Sequence, residues 1–154
     1  MKILQKIGML LVIYILMSIN YAFGQGYIGM TLDEIKNEIR IDNQEGYNSM
    51  LIDYDETLNE SLKKTYSSTC TIKRPDDSFR LFFSKKAVAK KRQCILSILK
   101  VFSKEEWEKI KLAFNMTYIK KGKLEWECMY KNQKVSVYGI ITNDEYCFMY
   151  QLLE

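Results

Sequence analysis

No histidine occurs in the 154 residues. Its absence removes Ser-His and Cys-His nucleophilic pairs, histidine-ligated zinc and an imidazole general base together. Glycine is scarce as well, at seven, and nowhere clusters into a loop able to cradle phosphate. The four cysteines, Cys70, Cys94, Cys128 and Cys147, contain no Cys-x-x-Cys pair, which argues against dithiol redox catalysis and against an all-cysteine zinc site. No cofactor and no metal is therefore expected. There is one proline, Pro75, and arginine is rare beside lysine, four against nineteen; with plentiful Ile, Asn and Tyr this composition reflects an AT-rich genome rather than a functional device.

The first 24 residues have the organisation of an export signal. Lys2 and Lys6 form a positive start, Ile7 to Ile19 a mostly apolar run, and Ala22-Phe23-Gly24 places small residues at −3 and −1 before Gln25. Cleavage after Gly24 is expected, leaving a single domain over 25–154 in the periplasm or outside the cell. The rival, an uncleaved anchor, needs roughly 20 apolar residues, and Ser18 and Asn20 interrupt the run. No cysteine stands beside the cleavage point, so a lipid anchor has no attachment site. This leader resembles the export signals of Bacteroidota. Without its two lysines the chain carries 21 basic and 19 acidic residues, against a formal +4 for the whole, a balance that calls for no nucleic-acid partner.

Thr31 followed by Glu34 is a capping box, and Leu32, Ile35 and Ile39 recur on one helical face behind it. Strands are expected at Tyr47 to Tyr54, Thr65 to Lys73 (with Tyr66, Cys70 and Ile72 on one side), Phe79 to Phe83 and Cys94 to Val101, the last with a helix as its alternative. Asp53, Asp55, Glu56 and Glu60 read as a solvated loop, since they lack the spacing of a calcium loop. Lys85, Lys86, Lys90, Lys91 and Arg92 read as a basic loop, with lipid headgroups as an alternative partner. Ser103 and Glu106 repeat the capping arrangement, with Trp107, Ile110 and Phe114 forming the stripe of a helix that ends near Asn115.

The last third reads as two hairpins. A loop at Asn132-Gln133 sets Cys128 opposite Val137 and Trp126 opposite Gly139, and one at Asn143-Asp144 sets Ile141 opposite Tyr146, Gly139 opposite Phe148 and Val137 opposite Tyr150. Gly139 then lies between two large rings. Met129, Tyr138, Ile140, Cys147 and Met149 share the other face, which is either open or covered by the N-terminal half. The even cysteine count in an exported chain allows one or two disulfides, but Cys128 and Cys147 point to opposite faces and should not pair with each other. Glu125 and Glu127 share a strand face, the minimal arrangement for a carboxylate-dependent glycan hydrolase and also a common surface pattern.

The Ile28-Gly29-Met30-Thr31 start with Glu34-Ile35 resembles the opening of the BamE-like (SmpA/OmlA) outer-membrane assembly lipoproteins and of the related β-lactamase-inhibitor-like secreted domains. That resemblance implies helices packed on one side of an antiparallel sheet in a module that binds other proteins. This chain departs from the lipoproteins at the anchor cysteine and at Arg40-Ile41-Asp42, where Gly-x-Pro is usual. The expectation is an α+β domain with two helices on an antiparallel sheet, compatible with a tandem α-then-β repeat. Functionally it is a non-enzymatic exported module that holds a protein or peptide on Met129, Tyr138, Ile140 and Met149. The alternatives are an envelope structural or lipid-contacting protein and, last, the glycan hydrolase. After leader removal no segment would span a membrane.

Overall fold

The Thr31 hydroxyl accepts from the Glu34 N–H at 3.4 Å while the Glu34 carboxylate accepts from the Thr31 N–H at 2.7 Å, so the capping box is closed in both directions. It starts α1 (Leu32–Gln44), whose Ile35 and Ile39 are buried. The computed structural model describes residues 25–46, 48–53, 60–85, 92–130 and 132–153. The leader, the acidic stretch 54–59 and most of the basic cluster lie outside these. β1 (Met50–Asp53) follows, then a short helix α2 (Glu60–Thr65), then β2 (Tyr66–Lys73), β3 (Asp77–Ser84) and β4 (Cys94–Val101). Ser103 caps α3 (Lys104–Thr117), after which come β5 (Ile119–Gly122), β6 (Glu125–Tyr130), β7 (Gln133–Thr142) and β8 (Glu145–Leu153).

All eight strands form one antiparallel sheet in the order β1-β2-β3-β4-β8-β7-β6-β5. Each half is a meander, and the halves join where β4 pairs with β8, Leu99 opposite Phe148. The N-terminal half thus extends the sheet sideways instead of stacking on the C-terminal half. Strand dominates over helix, and among the described residues no helix is long and apolar enough to cross a membrane.

One apolar cluster runs the length of the helix side. It takes Ile35 and Ile39 from α1, Trp107, Ile110 and Phe114 from α3, and Ile72, Phe79, Leu81, Leu99, Trp126, Val137, Phe148 and Tyr150 from the strands. Each such buried side chain contributes about 1.5–3 kcal/mol. Its C-terminal end is mostly aromatic: Trp107 stacks on Phe148 at 5.3 Å, and Phe114 meets Phe148 edge-on at 4.9 Å. Gly139 lies beneath these rings. A Cβ there would sit 3.3 Å from Trp107 and from Leu124, and 3.5 Å from Trp126.

Several expectations are corrected. The β6–β7 hairpin pairs Tyr130 with Gln133, so Cys128 faces Val135 and Trp126 faces Val137, a slip of two from the expected register. The loop is centred one residue earlier because Asn132 takes the left-handed conformation (φ 62°), which asparagine tolerates better than Gln133 would. A slip of two leaves every side chain on its expected face. The second hairpin, turning at Asn143 and Asp144 (φ 45° and 64°), has the expected register throughout. Glu60 opens a helix rather than lying in a loop, paired with Lys63 at 2.8 Å. A bulge after Tyr66 turns that ring to the far face, against Phe82 at 5.1 Å, away from Cys70 and Ile72. α3 continues two residues past Asn115. β1 covers only Met50–Asp53, with Tyr47 and Tyr54 outside the described residues. For Cys94 to Val101 the strand is the outcome and not the helix.

Residues 26 to 31 form a strap seated in the core. The Gly29 N–H donates to the Cys94 carbonyl at 2.8 Å, the Cys94 N–H donates to the Met30 carbonyl at 2.9 Å, and Thr31 bridges to Gln93. Ile28 is fully buried, and the Tyr27 ring meets Phe79 edge-on at 5.1 Å. Burial pushes the Tyr27 hydroxyl pKa up to about 12. Gly26 (φ 54°) lies against the Tyr150 ring, where a Cβ would come within 2.7 Å, and Gly29 has φ 77°. These backbone demands account for the two glycines.

Candidate functional site

Two-residue periodicity assigns every side chain of β4, β8, β7 and β6 to one of two faces. Ser97, Leu99, Tyr146, Phe148, Tyr150, Val135, Val137, Trp126 and Cys128 point toward the helices. Leu96, Ile98, Cys147, Met149, Tyr138, Ile140, Glu125, Glu127 and Met129 point away. Cross-strand registers align the second set in rows. Ile98, Met149, Tyr138 and Glu125 are successive partners across four strands, as are Lys100, Cys147 and Ile140 beside them. The four residues expected to bind a partner, Met129, Tyr138, Ile140 and Met149, therefore lie on one surface. Met149 and Tyr138 are direct neighbours, Ile140 is two residues along β7, and Met129 is set apart at the β6 end opposite Lys134.

This surface stays open. Met129 is 62% exposed and Ile140 36%, while Tyr138 and Met149 are half-buried by their neighbours. Ile119 of β5 joins its rim opposite Glu127 and is 60% exposed. The same face over β2 and β3 differs. Phe82 is only 5% exposed there, with the Tyr66 ring beside it and the Arg80 guanidinium 5.6 Å from its centre. The accessible apolar area of this face thus lies on the C-terminal half and the central strand β4 and, separated from them by β2 and β3, on Met50 and Ile52 of the edge strand β1, 56% and 37% exposed. Ile98 and Leu96 belong to it because β4 pairs with β8. Alternation along β4 would assign their face, but no sequence signal specified that pairing.

Charges on the face are largely matched in pairs. Lys100 binds Glu145 at 2.5 Å, and Glu127 lies between Lys134 at 3.4 Å and Lys121 at 3.8 Å. Glu125 and Glu127 do share the surface, as a hydrolase would require, but the two lysines hold Glu127 as an ion-pair partner. A depression of about 640 Å3 lies elsewhere, on the outward side of α3 along Glu105, Glu108, Leu112 and Asn115. Its two carboxylates are each bonded to a lysine, Glu105 to Lys109 and Glu108 to Lys111.

All four cysteines carry thiols here. Cys70 and Cys94 are buried on the helix side, Cys128 is half-buried there, and Cys147 is half-buried on the open face, so Cys128 and Cys147 are separated by the sheet as expected. Burial raises the thiol pKa of Cys94, Cys128 and Cys147, to about 11 for Cys128; Glu145 adds to the rise at Cys147 and Lys100 opposes it. Among the described residues no group of three or more Cys, Asp or Glu side chains is placed to hold a metal ion. Of the basic cluster, Lys85 and Arg92 are exposed and 86–91 lie outside the described residues. No family model matches the chain, and no curated protein or solved structure matches it either.

Proposed function

We propose that this chain is an exported, non-enzymatic module that holds a protein partner on the open sheet face formed by Met129, Tyr138, Ile140 and Met149 with Ile98 beside them. The observation that carries this reading is the exposure of an apolar surface on the inner strands of an eight-stranded sheet whose opposite side is packed by both long helices. Exposed methionines adapt to varied partner shapes, and an aromatic residue beside them is the composition of an interface centre. The order of elements supports a tandem repeat: a capped helix and four meandering strands occur twice, with α2 inserted in the first copy. That order agrees with the layout implied by the resemblance to inhibitor-like secreted domains. Export rests on the leader reading of residues 1–24.

The test is capture from envelope extract of the host by residues 25–154, with a Tyr138→Ala, Ile140→Ala variant alongside and bound proteins identified by mass spectrometry. A discrete partner bound by the wild type and lost in the variant is the expected result. Equal capture by both would remove this surface from consideration.

A further inference from the structure

The open face has a central row whose charges are balanced about β8. Arg80, Ile98, Met149, Tyr138 and Glu125 are successive cross-strand partners over β3, β4, β8, β7 and β6. A cation stands at one end and an anion at the other, with apolar and aromatic side chains between them and Met149 in the middle. The Arg80 guanidinium is held on this face by the Phe82 ring, 5.6 Å from its centre. A second copy turned by half a turn about an axis along β8, lying between the two faces, presents the same row reversed. Arg80 of each copy then faces Glu125 of the other, Ile98 faces Tyr138, and Met149 meets its own counterpart. A twofold contact requires this self-complementarity of one patch.

We propose that the occupant of the open face is a second copy of this chain, docked sheet to sheet about a twofold axis along β8. The proposal rests on the reading of this face as a docking surface and names what docks there. Two sheets of the same twist pack about 10 Å apart with their strands within about 30° of each other, and a second copy supplies that matching twist. Five strands at about 4.8 Å and three rows of outward residues at about 6.7 Å cover roughly 24 by 20 Å, so the two copies together bury on the order of 1,000 Å2, the lower limit of a specific interface. The dimer is therefore reversible, and chain concentration sets how much of the face is covered. Methionine suits the axis, because two flexible thioether side chains adjust to each other where a stiffer residue would clash with its own image.

The test uses residues 25–154, which hold every described element. Sedimentation velocity over about a hundred-fold range of concentration should show monomer passing into dimer; monomer throughout overturns the proposal. The geometry is read from Cys147, on the same strand face as Met149 and beside the axis. In a Cys128→Ser background, a bis-maleimide spanning about 8 Å should join the two Cys147 thiols across the gap between the sheets. A dimer that is not joined there uses another surface and overturns the proposal. Arg80→Glu and Glu125→Arg should each weaken dimerisation about ten-fold, and the two together should recover most of the loss, since opposite charges again face each other. A double variant no tighter than the single ones overturns the twofold arrangement, and the crosslinking result stands whether or not the charge variants fold. Envelope capture separates the two failures. A monomeric wild type that captures a partner, lost in Tyr138→Ala, Ile140→Ala, overturns the second copy alone; if those alanines change neither dimerisation nor capture, the reading of the face falls with it.

Discussion

Adding carbon at Gly139 tests whether the aromatic cluster is as closed as it looks. The position is mid-strand without a left-handed φ, so a side chain is permitted by the backbone and restrained only by its neighbours. Alanine reduces the entropy of the unfolded chain, which favours folding by about 0.4–1 kcal/mol. Its methyl group would also press on Trp107 and Leu124 at 3.3 Å, inside ordinary contact distance. Overpacking of this kind costs about 1–3 kcal/mol. For one methyl the lower end applies, so Gly139→Ala should be destabilised by about 1 kcal/mol or less. Valine brings two more carbons into the same space, and the expected loss is about 3 kcal/mol, a large part of the 5–15 kcal/mol typical of a domain. Urea titration followed by tryptophan fluorescence would give both values. The alanine change should then be repeated in a Trp107→Phe background, which removes the indole edge that the methyl meets. The cost should fall there, with a coupling of about 1 kcal/mol. A Gly139→Val protein as stable as wild type, or additive behaviour in the double variant, would refute the packing argument.

Other measurements bear on separate parts of the fold. Thr31→Ala loses a closed capping box and Ser103→Ala a single cap bond, since the Glu106 carboxylate turns to Lys109 instead. Thermal melts should show about 1–2 kcal/mol lost for the first and about 0.5–1 for the second. Under native conditions Ellman's reagent should modify Cys147 and Cys128 well before Cys94, whose thiol is fully buried; peptide mapping that finds Cys94 labelled as fast would contradict its placement. Burial raises the pKa of Asp42, with Arg74 opposing and Glu38 and Glu45 adding to it, so the folded state holds that proton more tightly than the unfolded one. The stability it confers is complete below the ordinary Asp value and is lost as pH rises through the raised value. Asp42→Asn should therefore stabilise more at about pH 7 than at about pH 4; an equal effect at both would show the carboxylate unperturbed.

Sequence reading reached the local features and stopped at the long-range ones. The caps at Thr31 and Ser103 and the Asn143-Asp144 turn were legible because hydroxyl spacing and left-handed asparagine are chemistry within a few residues. Face assignment over β6 to β8 survived a two-residue slip at Asn132 because parity, unlike register, is insensitive to an even shift. The pairing of β4 with β8 was not legible, since both strands are apolar on both sides and any strand of that kind would serve. Nor was the buried pair of Arg74 with Asp77 at 2.8 Å. Asp77 becomes the first residue of β3 facing inward, and a charge run does not announce that its members will be 9% and 7% exposed. For the candidate site, which residues share the surface was readable, whereas its openness depended on where the other half of the chain went.

The position of β8 has a consequence for synthesis and turnover. Residues 145–153 supply the middle of the sheet, and until they arrive the apolar strand β4 has one side without a ladder. The emerging polypeptide must hold an adhesive edge in check across the residues between Val101 and Glu145. Loss of residues 145–153 after clipping near Asp144 would not trim the molecule at its margin; it would remove the strand through which the two halves of the sheet pair. Fusion partners or tags appended behind Leu153 should therefore be judged first by whether they let that strand slide into its slot.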